Sequence, residues 1–168
     1  MPDTEPPLAG VHAAVAGLVA AAERVGAAWT TPRAPGKWSP SQVVEHVARI
    51  MEESANVAAN RPSKFPTIHF LLRPIVRLLV FKRTLWSRAF PKMKAIDAFV
   101  PATGSVTPAD GCIRLKGALT RFEQACRARA ASGQDVASSI FGHVSVADFA
   151  RFQELHVRHH ILQMPGAA

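Results

Sequence analysis

Apolar residues recur at intervals of three and four in four separate stretches of the chain, the spacing of one buried face of an α-helix. Leu8, Val11, Val15, Leu18, Ala22 and Val25 predict a first helix from about Leu8 to Ala28, ended by Thr30, Thr31 and Pro32. The second begins with a strong local signal: Ser39 as N-cap, Pro40 where its missing N–H costs nothing, and Gln42 placed to close a capping box. It is predicted to run to about Asn60. Thr107, Pro108 and Asp110 repeat that pattern and open a third helix with the seam Cys112, Leu115, Leu119, Phe122 and Cys126, ended by Ser132 and Gly133. A fourth starts at Ser145, with Asp148 three residues on and Val144 and Phe149 as a hydrophobic staple, and ends near Met164 before Pro165 and Gly166.

With no stretch of alternating strand character, these elements predict an all-α, four-helix bundle in a single domain over residues 1–168. The Gly133–Val144 link suits antiparallel neighbours. The connection between the second and third helices, about residues 61–106, is long enough to be a crossover.

The crossover also has the most unusual composition. No acidic residue occurs between Glu53 and Asp97, while Arg61, Lys64, Arg73, Arg77, Lys82, Arg83, Arg88, Lys92 and Lys94 supply nine positive charges, leaving the rest of a +8 chain nearly neutral. Pro74 can open a helix whose apolar stripe is Ile75, Leu78, Leu79, Leu85 and Trp86, with Arg73, Arg77 and Arg88 on another side. Three readings fit: a fifth helix packed across the bundle with a solvated basic edge, which is preferred; a lid that gathers an anionic substrate; or a membrane-surface helix. Nucleic acid is not expected, because the basic residues alternate with Leu, Val and Trp and no recognised motif appears.

Apolar residues at 48% and charged residues at 19% exclude global disorder. The run from Phe65 to Phe81 is interrupted by His69, Arg73, Pro74 and Arg77, so no transmembrane helix is predicted. Met1 to Pro7 carries Asp3 and Glu5 where a secretory signal would be basic and then apolar, which predicts a cytoplasmic location. Cys112 and Cys126 lie 14 residues apart on one predicted helix, about 21 Å, too far for a disulfide. Both fall on its seam and read as small core hydrophobes.

The candidate chemistry lies in histidine. His156 and His160, four apart on the fourth helix, are about 40° apart in angle and one turn removed, so both rings can reach one point. Phe149, Phe152, Gln153 and Gln163 flank them and mark that side as core-facing. His46 shares the Val43, Ile50 and Val57 side of the second helix and is the natural third ligand. Three imidazoles leave a coordination position open, the arrangement of a catalytic zinc site, and they also suit nickel, iron and copper. Glu53, seven residues after His46, is a candidate to orient a ligand, complete the shell or act as base; the plain alternative is a rim carboxylate paired with a crossover arginine. His159 is a candidate acid/base or hydrogen-bond donor beside the metal. His12, His69 and His143 carry no assigned role.

Two stretches resemble the DinB-like superfamily, also called YfiT-like metal-dependent hydrolases. One is Lys37-Trp38-Ser39-Pro40-Ser41-Gln42-Val43-Val44-Glu45-His46; the other is Phe141-Gly142-His143-Val144-Ser145 leading into His156-Val157-Arg158-His159-His160-Ile161-Leu162-Gln163. Together they cover about 35 residues. The resemblance implies a four-helix bundle with a long link between helices two and three, a divalent metal on His46, His156 and His160, zinc or nickel by preference, and a homodimer. It also implies a thiol S-transferase using a low-molecular-weight thiol such as bacillithiol, mycothiol or glutathione, with a small electrophilic or anionic substrate. The alternatives are a metal-dependent hydrolase at the same site, or a non-catalytic metal-stabilised module that binds anionic membrane or a protein partner through the basic crossover.

Overall fold

The computed structural model describes residues 5–166, so most of the Met1 to Pro7 stretch on which the location was read lies outside the described residues. The protein is mostly helical. Four long helices, α1 (Glu5–Arg24), α2 (Pro40–Ala58), α5 (Pro108–Ala131) and α6 (Val146–Ile161), enclose the core. Between α2 and α5 lie α3 (Arg73–Val76), a wide π-helical segment (Arg77–Lys82) and α4 (Arg83–Ser87), which run on from one another, and a 3₁₀ turn at Asp97–Phe99. Among the described residues no helix is long and apolar enough to cross a membrane.

The start signals act as the sequence suggests. The Ser39 backbone N–H donates to Gln42 Oε1 at 3.0 Å while the Gln42 N–H donates to Ser39 Oγ at 3.3 Å, completing the capping box. Thr107 Oγ1 and Ser145 Oγ accept from the Asp110 and Asp148 N–H groups. Each satisfies a backbone donor that the first helical turn leaves unpaired.

Helix α1 packs chiefly on α6 and α2 on α5. The predicted seams are the buried ones: Leu8, Val11, Val15, Leu18 and Ala22 on α1, and Cys112, Leu115, Leu119, Phe122 and Cys126 on α5. Across the second pair, buried Glu45 takes ion pairs from Arg49 at 2.7 Å and Arg114 at 3.2 Å. Glu52 takes Arg114 and Arg121.

Three expectations are corrected. Helix α1 stops at Arg24 rather than near Ala28, because Gly26 turns left-handed (φ 59°) and starts a 3₁₀ turn. Helix α2 ends at Ala58, where Asn60 (φ 56°) turns the chain close to the expected end, and α6 ends at Ile161, three residues before Met164. The Gly133–Val144 link is not plain loop: β1 (Val136–Ser138) and β2 (Gly142–Val144) pair antiparallel, with Val136 opposite Val144. Strands of three residues are too short to show alternation. The crossover does form a helix, but of its predicted stripe only Leu85 packs against the core. Ile75, Leu78, Leu79 and Trp86 are exposed, and Phe81 and Thr84 are buried with Val76 and Val80 against the core. The helix is apolar on two sides, and periodicity selected the wrong one.

The crossover is fastened at several points. Ile68 N–H donates to Ser139 O and Ser139 Oγ–H to Pro66 O, tying it to the hairpin turn. Lys82 Nζ donates to Asp148 Oδ2 at 2.8 Å, tying it to the first turn of α6.

Candidate metal centre

Helix α2 contributes His46 and α6 contributes His156 and His160, all three buried. One nitrogen of each lies within 4.8 Å of the others, and the group can hold a metal ion. The Nε2 atoms of His156 and His160 are 3.1 Å apart. Nitrogens sharing a tetrahedral zinc ion stand about 3.3 Å apart, given Zn–N lengths of about 2.0–2.1 Å, so this pair is already at ligand spacing. The His46 ring meets both others edge-on, with centroids at 5.4 and 4.8 Å.

Hydrogen bonds select the tautomers. His46 Nδ1–H donates to the Phe99 carbonyl at 2.9 Å, which leaves Nε2 as a lone pair. His160 Nδ1–H donates to Gln163 Oε1 at 3.0 Å, with the same result. Gln163 then donates through Nε2 to His159 Nε2 at 3.1 Å, so one amide orients two histidines. His156 Nδ1 is buried without a partner, as is Gln153 Oε1. A proton on His156 could answer only one of the inward lone pairs; a divalent cation answers all of them, so the donor set fits a metal.

Burial keeps these rings neutral. It pushes His160 down to about 3, reinforced by His46, and holds His156 well below the usual histidine range and His46 below it, the latter despite the opposing Phe99 bond. Protons therefore do not compete with a metal at neutral pH.

The trio lines a cavity of about 710 Å³. Trp38, whose ring centroid is 4.8 Å from that of His46, and Phe90, 5.1 Å from that of His156, form part of its walls. Arg33, Lys37 and Lys94 also line it, and among the described residues no carboxylate does. The inner residues of the crossover helix, Val76 and Val80, complete the wall.

Of the sequence-predicted residues, His46, His156 and His160 are brought together and His159 flanks them, half-buried, its pKa lowered by burial and by Lys92. Glu53 is not. Two helical turns from His46, its carboxylate accepts from the Lys64 backbone N–H at 2.9 Å and from Asn56, and it pairs with no crossover arginine. Three features were missed: the Phe99 carbonyl, Gln163 as orienting group and Trp38 as wall. Gln163, three residues after His160, was open to detection as an i, i+3 partner; a carbonyl 53 residues from His46 was not.

A family model described as Protein of unknown function (DUF1569) matches residues 13–165. No curated protein and no solved structure matches the chain.

Proposed function

The chain belongs to the DUF1569 family, and we propose that this member is a metal-dependent S-transferase with a DinB-like four-helix frame, joining a low-molecular-weight thiol to an electrophilic substrate. The observation that carries the reading is the convergence of three neutral imidazoles on one point of a largely apolar cavity that no carboxylate lines among the described residues.

A divalent cation held by His46, His156 and His160, zinc or nickel, supplies Lewis acidity that brings a thiol's pKa towards neutrality. The chain's own residues do the remainder. Phe99 and Gln163 fix the ring orientations of His46 and His160. Trp38, Phe90 and Phe152 exclude water around the reacting atoms. His159 Nε2 already accepts from Gln163, so the thiol proton passes to solvent; the new C–S bond forms as the electrophile's leaving group departs with its bonding pair. Arg33, Lys37 and Lys94 attract an anionic thiol or substrate, so activity falls as ionic strength rises.

The test is to load purified protein with zinc or nickel and supply glutathione, bacillithiol or mycothiol in turn with an activated alkyl or aryl halide, following the thioether. Thiol-dependent product, absent in His156→Ala, is expected. No product above the variant with any thiol refutes the transferase reading, and turnover without thiol reassigns the site to hydrolysis.

A further inference from the structure

The outward side of the crossover helix has no partner among the described residues. Leu71, Leu72, Ile75, Leu78, Leu79 and Trp86 are all more than half exposed, Trp86 reaching 72%. Single exposed apolar residues are ordinary on a protein surface; six of them within residues 71–86 are the concentration expected of an interaction surface. The same segment carries Arg73, Arg77, Arg83 and Arg88, none of them in an ion pair among the described residues, and lacks any carboxylate between Glu53 and Asp97.

This combination restricts the occupant. Face-to-face pairing with a second copy would bring the same arginines together with no acid from either segment to offset them. Bulky apolar side chains, a tryptophan and arginines interspersed on one exposed helix match the boundary of an anionic bilayer, where the apolar groups enter the acyl region and the guanidinium groups meet phosphate. Each cation near such a surface adds to the attraction. The inward side is occupied separately: Phe81 and Thr84 are buried, and Thr84 Oγ1–H donates to Val80 O at 2.7 Å. Docking therefore does not require the helix to unfold from the core.

We propose that the outer face of this helix, from Leu71 to Arg88, docks the protein on an anionic lipid bilayer, with Leu78, Leu79 and Trp86 inserted and Arg77, Arg83 and Arg88 on lipid phosphates. The proposal is independent of the metal reading, and its test uses metal-stripped full-length protein.

The experiment is co-sedimentation with phosphatidylcholine vesicles, with and without about three-tenths phosphatidylglycerol, at low and high salt. The bound-to-free ratio on anionic vesicles is expected to exceed that on neutral ones by about tenfold or more, to drop several-fold in high salt, and to fall at least fivefold in Leu78→Gln/Leu79→Gln. Both positions are exposed, so that variant should keep the parent's melting curve. Trp86 emission should shift to the blue on anionic vesicles, a shift absent in Trp86→Phe. Equal binding to both vesicles, no binding, or undiminished binding by the Leu78/Leu79 variant would overturn the proposal. So would a parent dimer in sedimentation velocity that the variant dissociates, since the face would then belong to a second copy.

Discussion

Gly104 is the position where one methyl group should do most damage without touching the site. A Cβ built there would lie 2.7 Å from Ser41 Cβ and closer still to the Ser41 carbonyl carbon and oxygen, which belong to helix backbone and cannot rotate away. The 101–105 loop must therefore lift by about 1 Å to reach ordinary contact. That movement stretches the bonds from Gln42 Nε2 to Pro101 O (3.1 Å) and Ala102 O (3.2 Å) and from Trp29 Nε1 to Ser105 O (2.8 Å). Net losses of about 1 kcal/mol for each broken bond, partly offset by water, together with overpacking of about 1–3 kcal/mol, put Gly104→Ala at about 3 kcal/mol destabilising. For a chain of this size that lowers Tm by roughly 6–12 °C. The 3₁₀ turn that leads into this loop supplies Phe99 O to His46, so a shift passed back along the chain should lower metal affinity as well. The control is Gly117→Ala, on an exposed stretch of α5 with nothing within 4 Å, which should stabilise by about 0.5–1 kcal/mol. Thermal melts followed by circular dichroism read both. A Gly104→Ala melt within about 1 °C of the parent would refute the close approach of this loop to α2.

Three other outcomes can be checked. Burial raises the Cys126 thiol to about 12 from 9.0, so between those values the unfolded chain loses a proton that the folded chain retains. The thiol's contribution is complete below pH 9 and is lost as pH rises, by at most about 1.4 kcal/mol per unit; urea titrations at pH 8 and 10.5 should show a steeper loss in the parent than in Cys126→Ala. Gln163→Leu removes the acceptor that orients His160 and should weaken metal binding about 10- to 100-fold, measured by competition with a chelating dye, with little change in helix content. Gly10→Ala places a methyl 2.6 Å from Cδ of Glu154, a buried carboxylate held by Arg151 and Arg158. It should cost about 1–3 kcal/mol, and less in a Glu154→Ala background; additive losses in chemical denaturation would show that the two residues do not meet.

Much of the frame was legible because its signals are local. Ser39 with Gln42, Thr107 with Asp110 and Ser145 with Asp148 mark helix starts through bonds spanning three residues, and α5's buried seam follows from spacing alone. The convergence of His46 with His156 and His160 was legible for a related reason: each lies on the apolar side of its helix, and the core brings those sides together. The misreadings have physical causes. Gly26 ends α1 through left-handed backbone, a signal that apolar periodicity overlooks. The crossover helix carries Val76, Val80 and Phe81 on one side and Ile75, Leu78 and Leu79 on another, and its π-helical turns shift the phase, so a wheel drawn at 100° per residue has no basis for choosing between them. Glu53 was a candidate because seven residues place it on the His46 side of α2, but the Lys64 N–H claims its carboxylate.

The central claim is that His46, His156 and His160 together hold one divalent metal. Elemental analysis of untagged protein after incubation with zinc or nickel and removal of excess ion tests it most directly, beside a His156→Ala/His160→Ala variant. The account predicts about one equivalent per chain in the parent and a loss of about nine-tenths or more in the variant. A parent that retains no metal, or a double variant that retains as much as the parent, would contradict it.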